Sequence, residues 1–303
     1  MSSPWLVDRL RGANAYVRMA ANVIAGPSIF RSAMRAQGNA FPGGALVLSF
    51  DCDFPADVQK LPALSGLLTG KGIRGSFAVV GQWVEKYPKE HRCLVEHGHE
   101  IINHTHTHPN LRNDDYEFSR GPQFTNRMFE SLTLEERREE LLRCHAAVKE
   151  VLGVEMTGCR LPHFGNLDPA EIYSVLDEIG YRFSSSAMAV LTDTYGVPFR
   201  TKAGVWELPV TGCPRHPYTA FDTWHCLVKN GGRHSRPGEL AALLARALDL
   251  AQGLGALAVV YFDPKDILGQ DRLESMLEDV AARDGLEVAT CAQLLDAFEA
   301  CET

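Results

Sequence analysis

The chain has no C-x-x-C pair and no regular cysteine spacing. Cys52, Cys93, Cys144, Cys159, Cys213, Cys226, Cys291 and Cys301 are scattered along it, so neither a disulfide framework nor a thiolate zinc knuckle is indicated. No apolar stretch approaches the length of a membrane span, and Asp8, Arg9, Arg11 and Arg18 break up any secretory leader near the N-terminus. Nor does a basic stripe interleaved with aromatic residues run through the body, and a net charge of −8 with a pI near 5.8 offers nucleic acid no general attraction. Repeats and low-complexity tracts are missing too. The expectation is a cytoplasmic protein with reduced thiols that binds no nucleic acid. At 303 residues and 45% hydrophobic, it can bury the core of one large domain or two ordinary ones.

Residues 4–36 read as one or two amphipathic helices interrupted near Gly26-Pro27, with Trp5, Leu6, Leu10, Tyr16, Val17 and Ile24 supplying apolar contacts. Arg9, Arg11, Arg18, Arg31 and Arg35 face a single acid, Asp8. Such an arm, taken as residues 1–40, either packs on its own domain or on a second subunit, or rests peripherally on an anionic membrane or a lipid-linked substrate.

From residue 45 onward short apolar runs alternate with helical stretches. The predicted strands are 45–50, 75–80, 100–103, 156–160, 181–185, 205–210, 256–262 and 286–289. The clearest helices are 133–152, 169–179, 237–252 and 271–283, several opened by a capping residue or an early proline. Strict alternation argues for a parallel sheet, and seven or eight units argue for a distorted (β/α) barrel spanning residues 41–303. Two stretches break the rhythm: 110–131, read as a loop over the site, and 211–236, which carries His216, Trp224, His225 and His234 and reads as a second rim loop.

Three polar clusters each follow a predicted strand, so a barrel would bring them to one rim. They are Asp51-Cys52-Asp53, His104-Thr105-His106-Thr107-His108, and Arg160-Leu161-Pro162-His163-Phe164-Gly165. Asp51 and Asp53, two apart, share a strand face while Cys52 points away. Their mutual repulsion is relieved if a cation holds one carboxylate and a base or arginine the other; a solvated strand end or a helix cap is the plainer reading. His104 and His108 share a face on a helical turn, whereas in an extended segment His106 would join them and could replace a ligand. Together the clusters read as the metal site of a hydrolase. Arg160 taken alone would be an ordinary surface ion pair.

These same phrases carry a resemblance. SFDCDFP, HTHTH and RLPHFG resemble the three ordered motifs of the polysaccharide deacetylase family (NodB homology, carbohydrate esterase family 4), over roughly residues 45–295. Gly98-His99-Glu100 and Glu207-Leu208-Pro209-Val210 fit the same context. The resemblance implies that Asp53, His104 and His108 hold a divalent metal, usually zinc. It implies that Asp51 is the general base drawing a proton from water, that Arg160 keeps Asp51 ionised and aimed, and that the backbone N–H near Phe164 holds an oxyanion. His163, Phe164 and Trp206 are the candidates for contact with an amino-sugar or glycan substrate.

The resemblance breaks at one place. The family usually carries a proton-donating histidine after its last long apolar strand, but Ala258-Val259-Val260-Tyr261-Phe262 is followed here by Asp263-Pro264. Asp263 is then a protonated acid, or His216 or His225 takes over, or the chemistry differs, or Asp263 merely caps a helix and pairs with Lys265. The expected function is a metal-dependent N-deacetylase of an N-acetylated amino sugar or glycan. The alternatives are a deformylase or cyclic-amide hydrolase on the same fold, and a non-catalytic carbohydrate-binding relative.

Overall fold

The computed structural model describes residues 10, 13–109, 127–163, 169–229, 232–234 and 236–302. The strands are β1 (Ala45–Cys52), β2 (Ser76–Val79), β3 (Glu100–Asn103), β4 (Gly158–Cys159), β5 (Phe183–Ser184), β6 (Phe199–Arg200), β7 (Trp206–Glu207), β8 (Leu257–Phe262) and β9 (Glu287–Ala289). They lie in the order β6-β7-β5-β4-β3-β2-β1-β8, with β9 also on β1. All pairings among them are parallel except β6 on β7, an antiparallel hairpin that the alternating pattern did not predict. β8 follows β1 from Ala45 to Phe50, while β9 and β2 share its other edge in succession, at Ala45–Val47 and Ser49–Cys52.

The curl of the sheet leaves β8 facing the segment after β7, and there the barrel closes by side chains rather than by a full ladder. Leu257, Val259 and Asp263 alternate along one edge of β8, and their N–H groups donate to Gln37 Oε1 (2.8 Å), Thr211 Oγ1 (2.9 Å) and Thr223 Oγ1 (2.7 Å). One main-chain bond joins them, from Thr211 N to Val259 O at 2.8 Å. An exposed edge would be a template for stray pairing; here three side chains satisfy it.

Period-two alternation splits β1 between two cores. Leu46, Leu48, Phe50 and Cys52 face the surrounding helices, whereas Ala45 and Val47 pack inside the barrel with Leu257, Val259 and Tyr261 of β8. Ser49 and Asp51 continue the inward face, as Asp263 continues that of β8, so both carboxylates arrive buried at the C-terminal end of the strands.

The helices sit close to expectation, with Leu134–Leu152 opened by a reciprocal Thr133–Glu136 cap and Glu239–Leu254 ended by left-handed Gly255. Leu61–Gly70, Gly81–Lys86 and Pro88–Glu96 fill gaps between predicted strands where helices were expected without stated bounds, and Cys291–Glu302 follows the last strand. Of the N-terminal arm, Ala15–Ala36 is one helix kinked at Ala25, two residues before Pro27. Its second half packs down, burying Phe30 and Met34, and Arg18 reaches Asp193. Trp5, Leu6, Arg9 and Arg11 lie outside the described residues, as does 110–126 of the anticipated loop; Phe129–Ser131 at its end forms a 3-10 turn. No helix among the described residues is long and apolar enough to cross a membrane.

In helix Pro88–Glu96, His91 donates from Nδ1 to Tyr87 O at 2.8 Å, and burial pushes its imidazole down to about 4 from 6.5. The unfolded chain therefore binds the extra proton first as pH falls. The associated stability is fully present above pH 6.5 and drains away between there and about 4. Urea unfolding should lose up to roughly 1.4 kcal/mol per pH unit through this group. The loss across that window should be smaller in His91→Leu, and an unchanged slope would rule this group out.

Candidate active site

β1 ends at Cys52, and the chain turns so that the Asp53 carbonyl accepts from Trp83 Nε1 at 3.0 Å. This fixes the Asp53 carboxylate at the rim, where its side chain keeps 19% of its surface while His104 and His108 are almost fully buried. Asp53 Oδ1 lies 3.0 Å from His104 Nε2 and 3.5 Å from His108 Nε2, yet this buried atom takes part in no aligned hydrogen bond. The donor atoms of Asp53, His104 and His108 fall within 4.8 Å of one another.

His104 is oriented from behind. Its Nδ1 faces Arg160 O at 2.7 Å, and since a carbonyl only accepts, Nδ1 carries the proton and Nε2 presents its lone pair towards Asp53. An orphaned carboxylate oxygen and two converging imidazoles are the donor set of a catalytic divalent ion, so the residues fit such a group. Burial opposes ionisation of Asp53, but the His108 and His104 imidazoles hold its carboxyl well below the usual range. Burial also depresses both histidines. It wins at His108, which falls to about 3, and loses at His104, which Asp53 and Asp51 raise above 6.5.

The histidine segment is neither the helical turn nor the extended strand considered from sequence. β3 stops at Asn103, Thr105 takes a left-handed φ of 65°, and His108 another of 50°. The Asn103 side chain accepts from Thr105 N at 2.8 Å, and Thr105 Oγ1 accepts from His108 N at 3.1 Å. Glu140, from helix Leu134–Leu152, accepts from His106 N (3.0 Å), Thr107 N (2.8 Å) and Thr107 Oγ1 (2.9 Å). This loop, not helical periodicity, brings His104 and His108 to 4.8 Å between ring centres. It turns His106 away towards Gly81, so His106 does not replace a ligand. Left-handed residues of this kind cost free energy and are tolerated where surrounding bonds dictate them.

Asp51 faces the buried Arg160. Arg160 Nη1 donates to Asp51 Oδ1 and to Ser49 Oγ, both at 2.8 Å, Nε to Ser185 O (3.0 Å) and Nη2 to Ser185 Oγ (2.9 Å), while its guanidinium lies 5.2 Å from the Tyr261 ring centre. Each nitrogen of the guanidinium thus donates inside the barrel, and its complete burial removes the surface ion-pair reading. Burial raises the Asp51 carboxyl above its usual range, with Arg160 and His104 opposing it.

Asp263 is buried at the end of β8 and accepts from Thr223 Oγ1 at 2.5 Å. Burial lifts its carboxyl well above the usual range, and Asp53 and Asp57 add to the effect against Lys265. The residue also precedes helix Pro264–Ile267, while Lys265 approaches Asp57 and Asp266 instead. Of the loop histidines, His225 pairs through Nδ1 with buried Asp222 at 2.6 Å, beside Thr223; His216 stacks on His234 elsewhere in the segment. Sequence reading passed over Asp222 and Thr223, although the Asp222-x-x-His225 spacing was available to find the pair.

His163 stands 5.3 Å from His108 between ring centres, with a left-handed φ of 52°. Phe164 lies outside the described residues. Trp206 is a correction: it stands at the start of β7 away from the rim, its ring against Phe298 at 5.6 Å and its Nε1 donating to Glu299 at 2.6 Å. A strand residue at that register serves the C-terminal helix, and the next residue, Glu207, is buried with Tyr173 Oη, Ser186 N and Ala187 N on its carboxylate.

The fold and site define a (β/α) barrel with an Asp-His-His cluster and a buried Asp-Arg pair at its C-terminal rim. The sequence model of the family described as polysaccharide deacetylase matches residues 38–184, and in this stretch the chain is similar to that family. Two curated relatives match: a peptidoglycan-N-acetylglucosamine deacetylase of Bacillus cereus, 35% identical over 66 residues, and a chitooligosaccharide deacetylase of Bradyrhizobium sp., 40% identical over 50. These matches take in 22% and 16% of this chain and 23% of each relative. Among solved structures, PuuE allantoinase aligns with a TM-score of 0.67 at 13% identity, over 87% of this chain and 93% of its own. A family 4 carbohydrate esterase from Streptomyces lividans aligns at 0.50 and 16%, over 82% and 93%. Both share the fold.

Removing one member of the buried Arg160–Asp51 pair strands the other charge, which typically costs ~3–5 kcal/mol. Arg160→Met should lower unfolding free energy by that order in urea titrations. Adding Asp51→Asn should recover part of the loss; full additivity of the two changes would show that the pair does not couple.

Proposed function

We propose that the chain is a metal-dependent hydrolase that removes the acetyl group from an N-acetylated amino sugar, with N-acetylglucosamine-containing glycans as the substrate class. The observation that carries this is a base and a ligand set side by side on one strand end: Asp51 held by Arg160, and Asp53 converging with His104 and His108. The deacetylase names of the curated relatives supply the substrate class.

A divalent ion held by Asp53, His104 and His108, zinc being suited to two nitrogens and one oxygen, would supply Lewis acidity when bound, polarising a carbonyl and making water more acidic. Asp51 takes the proton of the attacking water. Its raised carboxyl makes it a stronger base than a solvated aspartate, and the Arg160 bond keeps the accepting oxygen in a fixed direction. Water oxygen bonds to the amide carbon, and collapse of the tetrahedral species expels the amine. Asp263, whose carboxyl burial pushes upward and which Thr223 orients, is assigned the delivery of the proton that the amine needs. Acetate and a free amino sugar leave. Aspartate thereby does the work that the family usually gives to histidine.

A second reading rests on that same replacement, together with the likeness to an allantoinase: hydrolysis of a cyclic amide by the same base. The purified protein should release acetate from N-acetylglucosamine oligomers, lose the activity to a strong chelator and regain it on adding zinc. Asp51→Asn should lower kcat by about 10²–10⁴-fold with a smaller change in KM, and Asp263→Asn should mainly abolish the basic limb of the pH profile. Turnover of cyclic ureides without acetate release would favour the second reading. Activity unaffected by removal of the metal would defeat the proposal.

A further inference from the structure

Outside the rim site, one group of side chains has donor atoms, geometry and orienting partners that the reaction does not use. Cys213, Cys226 and His234 are all buried, and their Sγ and ring nitrogen atoms lie within 4.8 Å of one another. Cys213 Sγ is 3.3 Å from His234 Nε2. The other ring nitrogen of His234 meets Glu239 Oε1 at 3.2 Å, so Nδ1 carries the proton and Nε2 turns its lone pair to the two sulfurs. Glu239 is in turn held by Arg215 Nη1 at 2.7 Å. A carboxylate behind an imidazole whose far nitrogen faces thiols repeats the logic found at His104, where Arg160 O takes the rear proton. His216 stacks on His234 at 5.1 Å, and its buried Nδ1 has no hydrogen-bond partner among the described residues, so a further nitrogen donor is at hand.

We infer that Cys213, Cys226 and His234 form a second, structural metal site that takes a zinc-class ion. Two thiolates and an imidazole are soft donors suited to zinc, and burial suits a closed site rather than a catalytic one. The cysteines are 13 residues apart, which is why no short motif announces them.

The placement gives the ion a task. Cys213 lies two residues after Thr211, which bonds β8. Cys226 lies in the helical turn Trp224–Val228, just after Asp222, Thr223 and His225, and His234 N donates to Cys226 O at 2.8 Å. Binding ties together three passes of the segment that completes the barrel and positions Thr223 against Asp263.

Cobalt(II) substitution tests this in the intact protein, because the rim ligands are oxygen and nitrogen and yield no sulfur signal. Cobalt-loaded wild type should show near-ultraviolet thiolate-to-cobalt charge transfer, Cys213→Ser and Cys226→Ser should each lose about half or more of that band, and the double variant all of it, while the visible absorption of cobalt at the rim is kept. Should the serine variants fail to fold, the wild-type spectrum decides alone. Cobalt bound without the thiolate band overturns the inference, and so does a Cys213–Cys226 disulfide in the protein as isolated. Neither result bears on acetate release, so failure here and failure of the deacetylase reading are told apart.

Discussion

A guanidinium sealed inside a barrel organises this molecule. Arg160 occupies volume that in an ordinary parallel barrel would hold branched aliphatic side chains, and its charge has no route to water. It is tolerable only because Asp51, Ser49 and Ser185 complete its hydrogen bonds from β1 and from the end of β5. Its carbonyl meanwhile sets the tautomer of His104. One residue thus links Asp51, the Asp53–His104–His108 cluster and the sheet interior, and the site inherits the rigidity of the core.

Strand periodicity explains why the rim chemistry lies where it does. The inward face of β1 runs Ala45, Val47, Ser49, Asp51, and that of β8 runs Leu257, Val259, Tyr261, Asp263. Each changes from apolar to polar as it nears the C-terminal end. The same two-residue step sends Cys52 into the helical layer, leaving Asp51 to meet the Arg160 guanidinium and Asp53 to meet the two imidazoles.

Much of this was legible in the sequence. All eight anticipated strands start within two residues of their observed positions, although 156–160, 181–185 and 205–210 reduce to two-residue cores at Gly158–Cys159, Phe183–Ser184 and Trp206–Glu207. Asp53, His104 and His108 come together. What stayed hidden is nonlocal. No pattern in HTHTH reveals that Thr105 and His108 take left-handed backbone, because the bonds that impose it come from Asn103, Thr105 and the distant Glu140. Trp206 was misplaced because adjacency to a family-like ELPV phrase says nothing about which end of a two-residue strand it occupies. The β6–β7 hairpin was missed because two residues leave no periodicity to read.

The closure along β8 has a mechanical corollary. A wall fastened by Gln37, Thr211 and Thr223 side chains and one main-chain bond is softer than a wall of continuous ladder, so the cylinder behaves as a clamp whose jaw is the 211–236 segment. Deformation of the cylinder concentrates in that jaw. The continuous ladder from β1 to β3 holds still, and with it the spacing between Asp53 and the two imidazoles.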